Sequence, residues 1–171
     1  ENSSFDVSFL PRQKDRLARL LESAGRSDSF GRKPVLHALR SAWPRLQRNG
    51  DALLHGDFWP GNALWKDGRL AAVIDWEDAA LGDPLSDLAN ARLEIAWAFG
   101  TEAAAEFTRL YRSAMPALDY AKLPYWDLGA SLRPAMSLSS WGLEPDKERD
   151  MRVKLDAFIE QALEKIDGLE P

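Results

Sequence analysis

Leu53-Leu54-His55-Gly56-Asp57-Phe58-Trp59-Pro60-Gly61-Asn62 is the stretch on which the fold turns, together with the segment that follows it as far as Asp87. The apolar pair Leu53-Leu54 leads into a loop punctuated by Gly56, Pro60 and Gly61. Ala63 to Lys66 and Arg69 to Ile74 then flank Asp67-Gly68. Asp-Gly between apolar runs signals a two-residue type I′ turn, so the pattern predicts a β-hairpin. In the simplest register Lys66 faces Arg69, Leu64 faces Ala71 and Asn62 faces Val73. Side chains alternate across a sheet, which puts Val73 and Asp75 on the face of Asn62. Asp75 is then the diagonal neighbour of Asn62, roughly 7–8 Å away at the backbone.

An amide and a carboxylate at that separation suit one hard cation, completed by water and phosphate oxygens, which is how proteins usually hold Mg²⁺. Each residue also has a plainer reading. Asp57 would make an Asx turn ahead of Trp59-Pro60, Asn62 would be turn chemistry after Gly61, and Asp75 would be a strand-end acid in water. The ordered set favours the functional reading. Val73, Ile74 and Trp76 also place Asp75 at an apolar edge, where an unpaired charge is costly.

His55-Gly56-Asp57, Asn62 five residues on, and Asp75 after a hairpin resemble the catalytic and metal-binding segments of the aminoglycoside phosphotransferase family. Gly82-Asp83-Pro84 and Asp87-Leu88-Ala89 follow in the expected order. That family is similar in fold to protein kinases, with His-Gly-Asp in place of His-Arg-Asp and Ile74-Asp75-Trp76-Glu77 in place of Asp-Phe-Gly. The resemblance implies that Asp57 is the catalytic base and that Asn62 and Asp75 bind the metal of Mg·ATP. The implied activity is transfer of the γ-phosphoryl of ATP to a hydroxyl of a small molecule, such as an aminoglycoside or amino alcohol. It also suggests that Asp87 braces the catalytic loop and that a His55 ring nitrogen bonds nearby backbone. The expected architecture is mainly α with a small β-hairpin, the C-terminal lobe of a kinase-like fold.

Nothing ahead of Leu53 reads as a nucleotide lobe. There is no Gly-x-Gly-x-x-Gly and no Val-Ala-x-Lys strand, and Gly25 with Gly31-Arg32-Lys33 has the wrong spacing for a Walker loop. The expectation is a C-terminal lobe whose N-terminal, nucleotide-gripping partner is absent from these 171 residues.

Composition bounds the rest. With 45% hydrophobic and 29% charged residues the chain reads as globular. A net charge of −5 argues against a nucleic-acid partner, and no run approaches membrane-spanning length. Without cysteine there is neither a disulfide scaffold nor a thiol nucleophile. With no signal peptide, a cytoplasmic protein is expected.

Helices are predicted over Pro11 to Ala24, over Pro34 to Asn49 with a break near Trp43-Pro44, and from Asp83-Pro84 to about Phe99. In the third, Asp83 is the expected N-cap and Leu85, Leu88, Ala89, Ile95, Ala96 and Phe99 the buried stripe. Further helices are expected over Glu102 to Ala114, Pro124 to about Trp141 with a kink at Pro134, and Asp146 to Ile166. Glu1 to Leu10 reads as an extended entry and Arg26 to Lys33 as a polar loop. Glu77 and Asp78 read best as solvated loop charges. Trp59, Trp126 and Trp141 could form a cation–π box, but they are equally core or the covered face beneath another lobe. Two other classes remain open, a metal-dependent phosphoester hydrolase and a non-catalytic kinase-like binding module.

Overall fold

A computed structural model describes residues 7, 9–26, 32–47 and 49–168, Pro44 by its backbone alone. Most of the expected entry and of the Arg26–Lys33 loop therefore falls outside the described residues. Six helices and four short strands are described: α1 (Gln13–Arg26), α2 (Lys33–Ala42), β1 (Ala52–Leu54), β2 (Ala63–Lys66), β3 (Arg69–Val73), β4 (Ala80–Gly82), α3 (Leu85–Phe99), α4 (Thr101–Ala114), α5 (Leu123–Ser137) and α6 (Pro145–Asp167). The architecture is mainly α with two small antiparallel sheets, β1–β4 and β2–β3.

Helix α5 is the hub. It packs against α3 and α6, and α1 and α2 lie across it. Leu88 and Leu93 of α3, Leu128 and Leu132 of α5 and Leu155 of α6 are almost fully buried where these helices meet. Each such leucine contributes about 1.5–3 kcal/mol by leaving water. The same helices share a buried ion pair. Arg92 of α3 donates through Nε and Nη2 to the two carboxylate oxygens of Asp127 on α5, at 2.9 and 3.2 Å. It also donates to Thr108 of α4, and its guanidinium lies 5.9 Å from the Phe158 ring centre on α6. One side chain thus ties α3 to three other helices.

Pro44 ends α2 as expected, the chain passing at Ala42 into a 3₁₀ turn over Trp43–Arg45. Helix α5 runs through Pro134 to Ser137 and tightens into a 3₁₀ turn over Leu138–Ser140. The stripe expected on α3 is partly out of phase. Leu85, Leu88, Ala89 and Ala96 are buried, but Phe99 is 68% exposed, and Ala91, Arg92, Leu93 and Trp97 are buried instead. Neighbours on two sides bury more of α3 than one amphipathic face.

The hairpin turn forms as read, with φ of 50° at Asp67 and 73° at Gly68, both positive as a type I′ turn requires. Its register does not hold. Lys66 pairs with Arg69 and Trp65 with Leu70, but an irregularity then puts Leu64 opposite Ala72 and Ala63 opposite Val73. One extra residue on β3 is a β-bulge, and it shifts everything beyond it by one place. Asn62 therefore faces Ile74, whose N–H donates to the Asn62 carbonyl at 3.0 Å.

Strand β4, too short to show a period, pairs with β1 and carries the chain back beside the start of the His55–Asn62 loop. Asp83, fully buried, accepts from the Leu85 N–H at 3.0 Å, the capping role expected of it. It also accepts from the backbone and side-chain N–H groups of Asn49, tying the end of the first helical segment to the start of α3.

Asp127→Ala should lower stability by roughly 3–5 kcal/mol in chemical denaturation, because Arg92 is left buried and unpaired. Exchanging both partners, Arg92→Met with Asp127→Leu, should restore most of that loss, since desolvation cost and attraction vanish together.

Candidate functional site

The loop between β1 and β2 is held from below by one carboxylate. Asp87, in the first turn of α3, accepts from the His55 N–H at 2.6 Å and from the Gly56 N–H at 3.0 Å. Gly56 is obligatory here. Its φ is 84°, and a Cβ on it would meet the Asp78 carbonyl oxygen at 2.0 Å. His55 is 3% exposed, with Nε2 2.8 Å from the Ile74 carbonyl while the Asp57 N–H donates to Nδ1 at 3.3 Å. The donor must then be Nε2–H, so the ring is neutral and its role is to clamp the loop to the end of β3. Trp76 lies against it with ring centres 4.7 Å apart.

Asp57 projects from this clamped loop, partly buried. Asn62, 5% exposed, donates its amide N–H to the Asp57 carbonyl at 3.0 Å. That bond fixes the amide, leaving Oδ1 as the atom free to face a cation. Asp75 is exposed and sits just past β3 in the left-handed region, with φ 65° and ψ 59°. It is not the extended strand-end residue at an apolar edge that the hairpin pattern implied. The left-handed step turns the chain out of the ladder into the 3₁₀ turn Trp76–Asp78. A non-glycine residue there is uncommon, and aspartate is among the few side chains that tolerate it.

The three carboxylates of this region act on one another. Burial pushes the Asp57 carboxyl above the ordinary carboxylate range; Arg133 pulls it back, and Asp78 and Asp75 push it further. Among the described residues no group of three or more His, Cys, Asp or Glu side chains could hold a metal ion. What is present is one amide oxygen and one exposed carboxylate. That pair fits Mg²⁺, which keeps most of its water and takes few protein oxygens.

Three residues near Asp57 carried no sequence signal or were set aside. Asp78 is not a free loop charge: Arg16 of α1 donates to its carbonyl oxygen and approaches its carboxylate at 3.3 Å. Arg133 of α5 lies 3.9 Å from an Asp57 oxygen and 3.7 Å from an Asp78 oxygen. Glu94 of α3 is half-buried, and burial together with the Asp57 charge pushes its carboxyl up to about 7 against the pull of Arg133. Arg133 and Glu94 reach the site through tertiary packing from segments that carry no motif, whereas Asp78 directly follows Ile74-Asp75-Trp76-Glu77. A cleft of about 580 Å³ opens beside them, lined by Asp57, Trp59, Glu94, Arg133 and Trp141 among others. Trp59 and Trp141 thus share a wall with Asp57, whereas Trp126 is buried and does not line this cleft.

A family profile described as "APH: Phosphotransferase enzyme family" matches residues 3–126. The chain is 35% identical over 80 residues to viomycin phosphotransferase of Streptomyces vinaceus, covering 44% of this chain and 25% of that protein. It is 45% identical over 51 residues to acyl-CoA dehydrogenase family member 11 of Homo sapiens, covering 29% of this chain and 6% of that protein. Among solved structures it is similar to a thermostable mutant of aminoglycoside phosphotransferase APH(4)-Ia. The apo form aligns with a TM-score of 0.62 at 22% identity, covering 88% of this chain and 53% of that one. A ternary complex of that protein with ADP and hygromycin B aligns with a TM-score of 0.62 at 21% identity, over 87% and 52% of the two chains. The chain therefore spans about half the length of the solved structures and a quarter or less of these curated relatives. The match over most of its length, on the fold described above, is sufficient: this chain belongs to the phosphotransferase enzyme family.

Proposed function

We propose that this chain is the catalytic-loop lobe of a small-molecule kinase that moves the γ-phosphoryl of Mg·ATP onto a hydroxyl of its acceptor. The observation that carries the reading is the Asn62 amide bonded to the Asp57 carbonyl, which makes the candidate base and the candidate metal ligand one rigid unit. Asp57 orients the acceptor hydroxyl and accepts its proton as the oxygen is phosphorylated. Positioning does most of the work, because a loose phosphoryl-transfer transition state asks little of the base. Asn62, with Oδ1, and Asp75, with its carboxylate, would hold the divalent ion. Once bound, that ion neutralises charge on the phosphate oxygens.

The cleft beside Asp57 takes the acceptor. Trp59 and Trp141 offer flat apolar walls, and Glu94 offers an acid near neutrality, a lining that suits an amino alcohol or an aminoglycoside. Viomycin phosphotransferase and the hygromycin B complex of APH(4)-Ia are consistent with acceptors of that kind. The grip on the nucleotide belongs to an N-terminal lobe. Trp65 and its cross-strand partner Leu70 on the hairpin are 66% and 53% exposed, an apolar face fitted to lie beneath such a lobe.

In the full-length protein, Asp57→Ala and Asp75→Asn should each lower phosphoryl transfer by about two orders of magnitude or more with the fold intact, the loss falling on kcat. A coupled ATP-consumption assay with a panel of hydroxylated acceptors reads this out, and near-normal turnover by either variant removes the assignment. These 171 residues alone should show negligible turnover in the same assay, and robust activity would contradict the need for a second lobe.

Glu94 provides a pH test of the cleft. Its folded pKa of about 7 lies above that of an unfolded glutamate, so the folded state binds the proton more tightly. Its contribution is complete below about pH 4.5 and is lost as pH rises through 7, so stability falls across that window. Glu94→Gln should make the protein more stable than wild type by roughly 1–3 kcal/mol near pH 8, with the difference vanishing below about pH 4.5. Urea denaturation of both proteins across that range measures it.

A further inference from the structure

A third tryptophan lines the cleft beside Asp57. Trp97 joins Trp59 and Trp141 there, with Leu93, Leu143 and Met151 filling the gaps between them. Trp97 and Trp141 meet edge to face, ring centres 6.0 Å apart and planes at 90°. The Trp97 indole N–H donates to the Met151 carbonyl at 3.0 Å, and that of Trp141 to the Ser137 hydroxyl oxygen at 3.2 Å. An indole has a single donor, so these two rings have none left for a ligand and offer it aromatic surface alone. Trp59 is exposed, but its six-membered ring lies so close over Gly61 that a Cβ there would clash with it. The bare glycine backbone is what lets this ring fold onto the loop.

The charges of the same lining are few and close to balanced. It carries three acids, Asp57, Glu94 and Asp150, against two cations, Arg133 and Lys147. Asp150 is paired with Lys154 at 2.8 Å, and Asp57 is the base that meets the reacting hydroxyl. Glu94 remains, half-buried and with no hydrogen bond or ion pair among the described residues. An ammonium beside it would give that acid a close partner. A second ammonium would find only acids already engaged, and two cations of its own sign. A sugar bearing many amines and hydroxyls would also press most of its polar groups against tryptophan and leucine carbon. Each such group would lose water without gaining a hydrogen bond.

We infer that the acceptor is an amino alcohol with a single amine and an aromatic body, its ring against Trp59 and Trp141, its ammonium at Glu94 and its hydroxyl at Asp57. The place of the hydroxyl rests on the phosphotransfer reading above; the places of the ring and the ammonium follow from the cleft lining. The acceptor O–H bond breaks toward Asp57 as its oxygen forms the new O–P bond and ADP leaves. Trp59, Trp141 and Glu94 are then the residues that set specificity, and the polyamine sugars are the acceptors they disfavour.

Calorimetric titration of the full-length protein without nucleotide, at about pH 8 where Glu94 is ionised, compares phenylethanolamine, ethanolamine, phenylethanol and kanamycin. An ATP-consumption assay then ranks the same four by kcat/KM. Phenylethanolamine should bind about tenfold or more tighter than ethanolamine, which lacks the ring, and than phenylethanol, which lacks the amine. It should also bind more tightly than kanamycin and be the best substrate of the four. Trp59→Leu and Trp141→Leu should each weaken its binding by about fivefold, and Glu94→Gln should narrow the gap between phenylethanolamine and phenylethanol. No measurable binding of phenylethanolamine, no gain from the ring, tighter binding of kanamycin, or a Glu94→Gln variant that keeps the full gap would each overturn the inference. Turnover of kanamycin with none of phenylethanolamine would overturn the acceptor class and leave the kinase reading standing. Tight phenylethanolamine binding with no turnover of any of the four would remove the kinase reading, and with it the hydroxyl at Asp57, while supporting the ring and ammonium sites.

Discussion

Two hydrogen bonds from the backbone of His55 and Gly56 to the Asp87 carboxylate carry the geometry of this molecule. A loop between a three-residue and a four-residue strand has little order of its own. Here it is pinned to the first turn of α3, whose other residues are locked into the helical core by Leu88, Leu93 and the Arg92–Asp127 pair. The neutral His55 ring supplies the second pin, to the end of β3. Between them they fix Asp57 relative to both the hairpin and the helices. Burial pushes the Asp87 carboxyl up, and the two N–H donors hold it back, so the bonds are what keep a buried charge tolerable.

The electrostatics around Asp57 follow from the same packing. Acids crowd it from three directions: Asp78 and Asp75 from the β3–β4 connection, and Glu94 from α3. Against them stand Arg133 of α5, shared between Asp57 and Asp78, and Arg16 of α1, which pairs with Asp78. Four acids against two arginines leave the surroundings of Asp57 at a negative potential. The core helices thus set the charge balance of a loop to which they are connected only through space.

Much of this was readable along the chain, because the informative segments are local. Asp67-Gly68 fixed the hairpin turn, Pro44 the end of α2, and Asp83-Pro84 the start of α3. The pairing of Asn62 with Asp75 as candidate metal ligands rested on a strand register that does not hold. A bulge on β3 adds a residue that no alternation pattern reveals, and Asp75 reaches its place by a left-handed step past the end of the ladder. What sequence reasoning missed are contacts between distant segments. Arg133 lies 76 positions beyond Asp57 in the numbering, and nothing in Leu132-Arg133-Pro134 advertises a partner. Asp78 has the sequence context of a surface acid, but Arg16, 62 positions earlier, packs against it.

The left-handed backbone at Asp75 bears on how such a lobe can change. Asparagine adopts that conformation as readily as aspartate and has nearly the same shape, so the polypeptide exerts no resistance to the exchange. One nucleotide-level event could therefore remove the charge from this position and leave the backbone and the neighbouring grooves undisturbed.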